Sequence, residues 1–194
     1  MGSKDTHYDL LREKLLLRKK ILSRRKTLPE GQVRLKSDKI YANLLKIPYI
    51  VSKRNFLIYL PINNEVDTKS VIKKLIKSGA GIFLPAFWGQ KSDYVVCKFT
   101  NFEDLTPGPF NILQPKELRE VDADLIDVAI LPGLAFDRRG VRLGYGRGVY
   151  DKLLKSFKGL KIGLAYDFQI VNELPKEEHD VTVDIVVGEN LLIE

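Results

Sequence analysis

The sequence predicts an α/β fold of three layers, α/β/α, with a largely parallel central sheet in a single domain covering residues 1–194. Three observations carry that prediction. Short continuous apolar runs at residues 55–60, 81–85, 127–132, 160–166 and 182–187 have the length and composition of strands buried on both faces. Segments with helical character lie between them, and strands that alternate with helices pair in parallel, with helices on both faces. No internal repeat, low-complexity tract or linker divides the 194 residues, a length that buries a sizeable core.

In chain order, Tyr8, Leu11, Leu15 and Leu22 recur at helical spacing and predict a helix over about 8–26. The same helix carries Lys14, Arg18, Lys19, Lys20, Arg24, Arg25 and Lys26, which by default form a solvated charged face. Thr27-Leu28-Pro29 ends it, and Pro29 suits the start of a second helix reaching about 45. After the strand at 55–60, a helix over 67–77 takes Asp67 or Thr68 as N-cap, with Gly79 past its end. Residues 93–99 alternate more and read as an edge strand with a hairpin partner, in which Cys97 is a buried thiol. Thr106-Pro107-Gly108-Pro109-Phe110-Asn111 reads as a loop without regular structure. The strand at 127–132 leads into a glycine-rich loop and a helix over about 148–157, and the last two strands follow.

Composition narrows the function classes. Of the residues, 44% are hydrophobic and 29% charged, ordinary for a soluble globular protein, and no apolar run approaches a membrane span or the core of a secretory signal. A single cysteine excludes an internal disulfide and fits a reducing compartment, so a cytoplasmic protein is expected. The formal net charge of +7 points to a polyanionic partner, whether nucleic acid, nucleotide or polycarboxylate. His7 and His179 fit no motif, and His179 is expected at the surface.

The most informative segment is Leu131-Pro132-Gly133-Leu134-Ala135-Phe136-Asp137, followed by Arg142-Leu143-Gly144-Tyr145-Gly146-Arg147-Gly148-Val149-Tyr150-Asp151. Its strand–loop–helix context sets it at the carboxyl end of a central strand, where open α/β sheets bind ligands. Gly144, Gly146 and Gly148 can take positive φ and let backbone N–H groups approach phosphate oxygens, with the following helix N-terminus adding partial positive charge. Arg142 and Arg147 add forked donors suited to phosphate. The spacing matches neither the dinucleotide fingerprint nor the P-loop, and three glycines can also serve a tight connection and nothing more. Asp151 would repel a triphosphate unless a cation intervened, which points to Mg²⁺ shared between carboxylate and phosphate. Asp184, polar within an apolar run, is a candidate second carboxylate; on sequence alone a cap on a neighbouring helix fits it equally well.

Taken together, these residues resemble the signature of the 5-formyltetrahydrofolate cyclo-ligase family, also called 5,10-methenyltetrahydrofolate synthetases. The resemblance extends over nearly the whole chain: the basic N-terminal helix, Tyr59-Leu60-Pro61 with Glu65, Phe83-Leu84-Pro85, and Pro107-Gly108-Pro109-Phe110-Asn111-Ile112 with Pro115 occur in family order. It implies conversion of 5-formyltetrahydrofolate and MgATP to 5,10-methenyltetrahydrofolate, ADP and phosphate, with ATP and Mg²⁺ as cofactors. It assigns Arg142, Leu143, Gly144, Tyr145, Gly146, Arg147, Gly148, Val149 and Tyr150 to the ATP phosphates, with Arg142 and Arg147 catalytic. Tyr145, Gly146, Arg147, Gly148 and Val149 also line the folate side. Lys14 and Arg18 match basic residues that reach the nucleotide, and their spacing of four aims both one way. Asp151 and Asp184 match magnesium positions. Leu60 and Glu65 match folate contacts, with the glutamate accepting from pterin N–H groups, and Phe83 and Phe110 would wall the aromatic rings.

Three departures bear on the folate pocket. Phe110 stands where the family often has tryptophan, Val149 stands where tyrosine is common, and Ala86-Phe87-Trp88 follows Pro85 where an aromatic or basic residue is usual. A small-molecule substrate (5-formyltetrahydrofolate, whose polyglutamate tail would suit the basic excess), no membrane, no nucleic acid and a monomer are expected. Two other classes compete. A sugar-phosphate or acyl-transfer enzyme on a similar scaffold would need no magnesium carboxylate at the loop. A basic nucleic-acid-binding module would show salt-sensitive binding and no nucleotide turnover.

Overall fold

The computed structural model describes residues 2–91, 93–177 and 180–194, with the backbone alone for 2–7 and 51. His179 and the side chain of His7 lie outside the described residues. Helices α1 (Gly2–Lys26), α2 (Glu30–Leu44) and α3 (Pro48–Ser52) come first, then strand β1 (Asn55–Leu57), helix α4 (Lys69–Lys77), and strands β2 (Gly81–Trp88) and β3 (Asp93–Phe99). A ribbon of β4 (Leu105–Pro107) and β5 (Leu113–Pro115) precedes β6 (Val128–Leu131), β7 (Ala135–Asp137) and β8 (Arg142–Leu143). The short helix α5 (Val149–Leu153), β9 (Leu160–Leu164), β10 (Ile170–Val171), β11 (Ile185–Val187) and β12 (Leu192–Ile193) complete the chain. Among the described residues no helix is long and apolar enough to cross a membrane.

The main sheet has seven strands in the order β12-β11-β9-β6-β1-β2-β3. Its inner pairs are parallel, and β3 and β12 close the two edges antiparallel. Because side chains alternate across a strand, each apolar run feeds two cores. Phe56, Ile58, Val128, Ile130, Ile162 and Val187 face Ile40 and Leu44 of α2, Ile50 of α3 and Val71 and Ile72 of α4. Leu57, Ala129, Leu131 and Val186 face Phe136, Leu154 and Phe157 on the other side. Burial on both faces is why these strands read as continuous rather than alternating runs.

The mixed α/β fold with a large, mostly parallel central sheet is as expected, and on its second face the short helix α5 is joined by a small sheet, β10-β7-β8. The structure departs from the sequence expectations in two places. The helix expected to reach 157 stops at Leu153, where i→i+3 bonds, from Lys155 N–H to Lys152 O and Phe157 N–H to Leu154 O, tighten the chain and return Leu154 and Phe157 to the sheet. The segment 106–111, expected to be irregular, is the tip of the β4–β5 hairpin, closed by Phe110 and Asn111 in left-handed conformations.

Helix α1 turns part of its basic face, expected by default to be solvated, toward the protein. Tyr8 is 77% and Leu15 63% exposed, and Leu11 is exposed as well. The inward stripe is Lys14, Leu17, Arg18, Ile21 and Arg25, in steps of three and four residues. The physical reason lies in what the helix covers. Its side chains meet loop carbonyls and acidic groups at the carboxyl ends of β1 and β6, where donors are needed more than methyl groups.

Candidate functional site

The strand order defines where a ligand crevice forms. From β1 the chain moves to β2 on one side, whereas β6 lies on the other side of β1 and leads on to β9 and β11. The carboxyl ends of β1 and β6 therefore flank the topological switch point, the usual binding crevice of an open α/β sheet. Three segments meet there: the turn after β1, the glycine-rich loop after β8, and the end of α1.

Arg25 joins all three and is fully buried. Its Nε donates to Asn63 O at 3.0 Å, Nη1 to Gly133 O and Nη2 to Ile62 O, both at 3.4 Å, and Nη2 also donates to the Tyr145 hydroxyl at 2.5 Å. Glu65 faces Arg25 at 3.6 Å, accepts from Ile62 N–H at 3.0 Å, and accepts from the Tyr145 hydroxyl at 3.3 Å. Burial pushes the Glu65 carboxyl up to about 7, against the opposing pull of Arg25, the Ile62 N–H and Tyr145. Burial, then the Glu65 charge, raise the Tyr145 phenol, which keeps its proton and can donate. The turn that presents Glu65 is built from Asn63 and Asn64, both at positive φ, and Asn64 Nδ2 ties it to Arg25 O and Leu28 O at the end of α1. Tyr166 donates from its hydroxyl to Glu65 O at 3.1 Å, and Gln169 fastens the turn after β6 through Gly133 O and Leu134 O.

The glycine-rich loop runs beside this cluster. Gly146 and Gly148 take φ of 93° and 64°, as expected. Gly144 does not; a Cβ there would meet Arg142 Nη1 at 3.0 Å, so its part is to admit the guanidinium. Helix α5 has five residues, too few for a substantial dipole, so the side-chain cations and loop N–H groups carry the positive character. Arg142 is buried beneath the loop, donates from Nη2 to Asp151 Oδ1 at 2.8 Å, and lies over the Tyr150 ring. Its Nε is buried and bonds to nothing among the described residues. A buried guanidinium N–H left unmade is energetically unfavourable and suits an acceptor arriving in the crevice.

This geometry has close relatives. Residues 11–189 match the 5-formyltetrahydrofolate cyclo-ligase family. The chain belongs to that family. It is 36% identical over 155 residues to the 5-formyltetrahydrofolate cyclo-ligase of Mus musculus, covering 73% of this chain and 76% of the mouse protein. To the Escherichia coli (strain K12) protein of the same name it is 30% identical over 167 residues, 82% of this chain and 90% of the other. Its fold is similar to that of Aquifex aeolicus 5,10-methenyltetrahydrofolate synthetase, with a TM-score of 0.83 and 36% identity over 93% of this chain and 92% of that one.

Against the cyclo-ligase resemblance, the structure brings together Glu65, Tyr145, Arg142 and Arg18. Arg18 donates from Nε to Gly144 O at 3.0 Å and lies alongside Gly146. Lys14 is drawn to Glu177 at 2.7 Å and Asp180 at 3.2 Å. Arg147 stacks on Phe110, its guanidinium carbon 3.5 Å from the ring centroid, which joins the hairpin tip to the loop. Leu143 is buried with Ala135 and Val141, and Tyr150 wedges between the two cores. Leu60, matched to a folate contact, and Phe83, expected as a wall, are buried within the two cores. Nor does the structure join Asp184 to Asp151. Asp184 precedes β11 at the amino ends of the parallel strands, where its carboxylate accepts from Lys161 N–H at 2.7 Å and pairs with Lys161 Nζ at 3.0 Å. Asp151 sits near the carboxyl-end loop, bonded through Oδ1 to Arg142 and Val181 N–H. Sequence reasoning missed Arg25, Tyr166 and Gln169. For Arg25 a signal existed: with Lys14, Arg18 and Ile21 it completes one stripe at steps of four, three and four.

Proposed function

We propose that the chain catalyses ATP- and Mg²⁺-dependent cyclisation of 5-formyltetrahydrofolate to 5,10-methenyltetrahydrofolate, with release of ADP and phosphate. The observation that carries the reading is one crevice holding a buried carboxylate, Glu65, beside a loop whose Arg142 keeps a buried N–H unmade. The formyl oxygen attacks the γ-phosphorus, the bond to ADP breaks, and an N5-iminium phosphate results. N10 then attacks the formyl carbon, the carbon–oxygen bond breaks with loss of phosphate, and N10 gives up its proton.

The protein's own part is positioning and charge neutralisation. Ionised Glu65 accepts from pterin N–H groups, held in place by Arg25 and Ile62 N–H. Arg142, Arg147 and Arg18 supply cations around the transferred phosphoryl group. Asp151 fits a magnesium site of one carboxylate plus phosphate oxygens: it stands beside the loop, and its hydrogen bonds from Arg142 and Val181 N–H both go to Oδ1. Bound there, Mg²⁺ would neutralise developing phosphate charge. Asp184, committed to Lys161, would act there only after a rearrangement. The test follows absorbance of the methenyl product from 5-formyltetrahydrofolate with and without MgATP. Product is expected only with MgATP, and its absence at every enzyme concentration overturns the reading.

A further inference from the structure

The Glu65 carboxylate is 4% exposed, so a ligand reaches it only if a neighbour moves. Its neighbours differ in their freedom to do so. Arg25 is fully buried and anchored to the carbonyls of Ile62, Asn63 and Gly133, which belong to two separate segments. Ile62 N–H belongs to the Asn63–Asn64 turn, which Asn64 pins to the end of α1. Tyr145 is different. It is 38% exposed, sits between Gly144 and the left-handed Gly146, and is held by its hydroxyl to Arg25 and Glu65. The movable cover over the carboxylate is therefore a residue of the phosphate loop.

We propose that the Tyr145 hydroxyl couples occupancy of the glycine-rich loop to occupancy of Glu65, with Arg25 as the positioning residue that holds the coupled state. The coupling presupposes the cyclo-ligase activity proposed above. A pteridine ring that bonds Glu65 must displace the Tyr145 hydroxyl. A triphosphate that draws the loop toward itself moves the same residue away from Arg25 and Glu65. Whichever ligand binds first breaks these hydrogen bonds, and the second finds them already broken, so each strengthens the other. Arg25 sets the size of the effect, because its charge-assisted bond to the hydroxyl defines the closed arrangement.

Calorimetric titration of the full chain with 5-formyltetrahydrofolate, with and without a saturating magnesium complex of a non-hydrolysable ATP analogue, measures the coupling directly. The wild type is expected to bind folate at least about fivefold more tightly with the analogue present, the lower end of common couplings. The reciprocal titration must give the same factor. Tyr145→Phe keeps the half-exposed ring and removes the hydroxyl, so its factor is expected to fall to within about twofold of unity while both ligands still bind. A merely structural role for Tyr145 would change affinities or melting temperature and leave the ratio intact. A wild-type factor of one, or a Tyr145→Phe factor equal to the wild type's, overturns the coupling and leaves the cyclo-ligase reading standing. Failure of the wild type to bind either ligand overturns both.

Discussion

Glu65→Gln isolates the electrostatic strain built into the crevice. The carboxyl rises from its ordinary 4.5 to about 7 because burial outweighs the nearby Arg25, the Ile62 N–H and the Tyr145 hydroxyl. A raised acid favours the protonated folded state. Between pH 4.5 and 7 the unfolded chain has released this proton and the native chain retains it, so stability falls as pH rises through that window. At about 1.36 kcal/mol per tenfold change in proton affinity, the loss approaches about 3 kcal/mol, complete above pH 7. Glutamine keeps one oxygen, enough for either Ile62 N–H or the Tyr145 hydroxyl, which bond to different carboxylate oxygens, and it cannot titrate. The difference between the wild-type and Glu65→Gln unfolding free energies, from urea melts at half-unit intervals, should therefore carry the whole slope. Asp137 and Asp167 do not blur it, since hydrogen bonds hold both below 3.8, where their effects fall at lower pH. The same shift predicts that pteridine affinity improves as pH rises through about 7, because the ionised carboxylate is the acceptor. Two curves that stay parallel from pH 4.5 to 7 would refute the account of a strained Glu65.

Other expectations concern the loop and its supports. Arg142→Ala removes the buried donor and is expected to weaken nucleotide binding at least about tenfold, near 1.4 kcal/mol; unchanged affinity by calorimetry takes Arg142 out of the phosphate site. Asp151→Asn keeps the shape and discards the charge, so magnesium-dependent turnover should fall by about a hundredfold or more while the melting temperature drops only a few degrees. Equal losses in the two readouts would make Asp151 a structural partner of Arg142 alone. Gly140→Ala should destabilise by about 3 kcal/mol or more in denaturant melts, because φ is 75° and a Cβ would stand 2.1 Å from Val183 O. A loss under about 1 kcal/mol would mean that the β7–β8 turn yields easily.

What the sequence made legible was whatever a single element decides. Strands buried on both faces announce themselves as apolar runs, and Pro29 and Gly79 mark helix ends by their backbone constraints alone. The hidden features depend on partners distant in the chain. The apolar spacing of α1 reads correctly as helical, while its basic residues read by default as a solvated face, since nothing local says that the helix covers loop carbonyls. The β4–β5 hairpin hid behind Pro107 and Pro115, which a two-stranded ribbon tolerates because its outer edges need no N–H donor. Asp184 resembled a metal ligand until the β9–β11 register set it beside Lys161.

How the cations around the crevice are satisfied explains why the basic excess can serve a polyanion while many of its donors are already engaged. Lys14 and Arg142 meet carboxylates, so their charges are locally offset. Arg18 and Arg25 bond chiefly to backbone carbonyls, at Gly144, Ile62, Asn63 and Gly133. A carbonyl satisfies the geometry of a guanidinium N–H without cancelling its charge. Below about pH 7 the protonated Glu65 leaves both guanidiniums unopposed, and above it the carboxylate offsets one of the two, so the switch point stays electropositive. In a low-dielectric crevice such unneutralised charge attracts phosphate far more strongly than the same residues would on an open helix face. A stripe of lysine and arginine read as a solvated surface thus becomes, once turned inward onto carbonyls, the positive wall of the crevice.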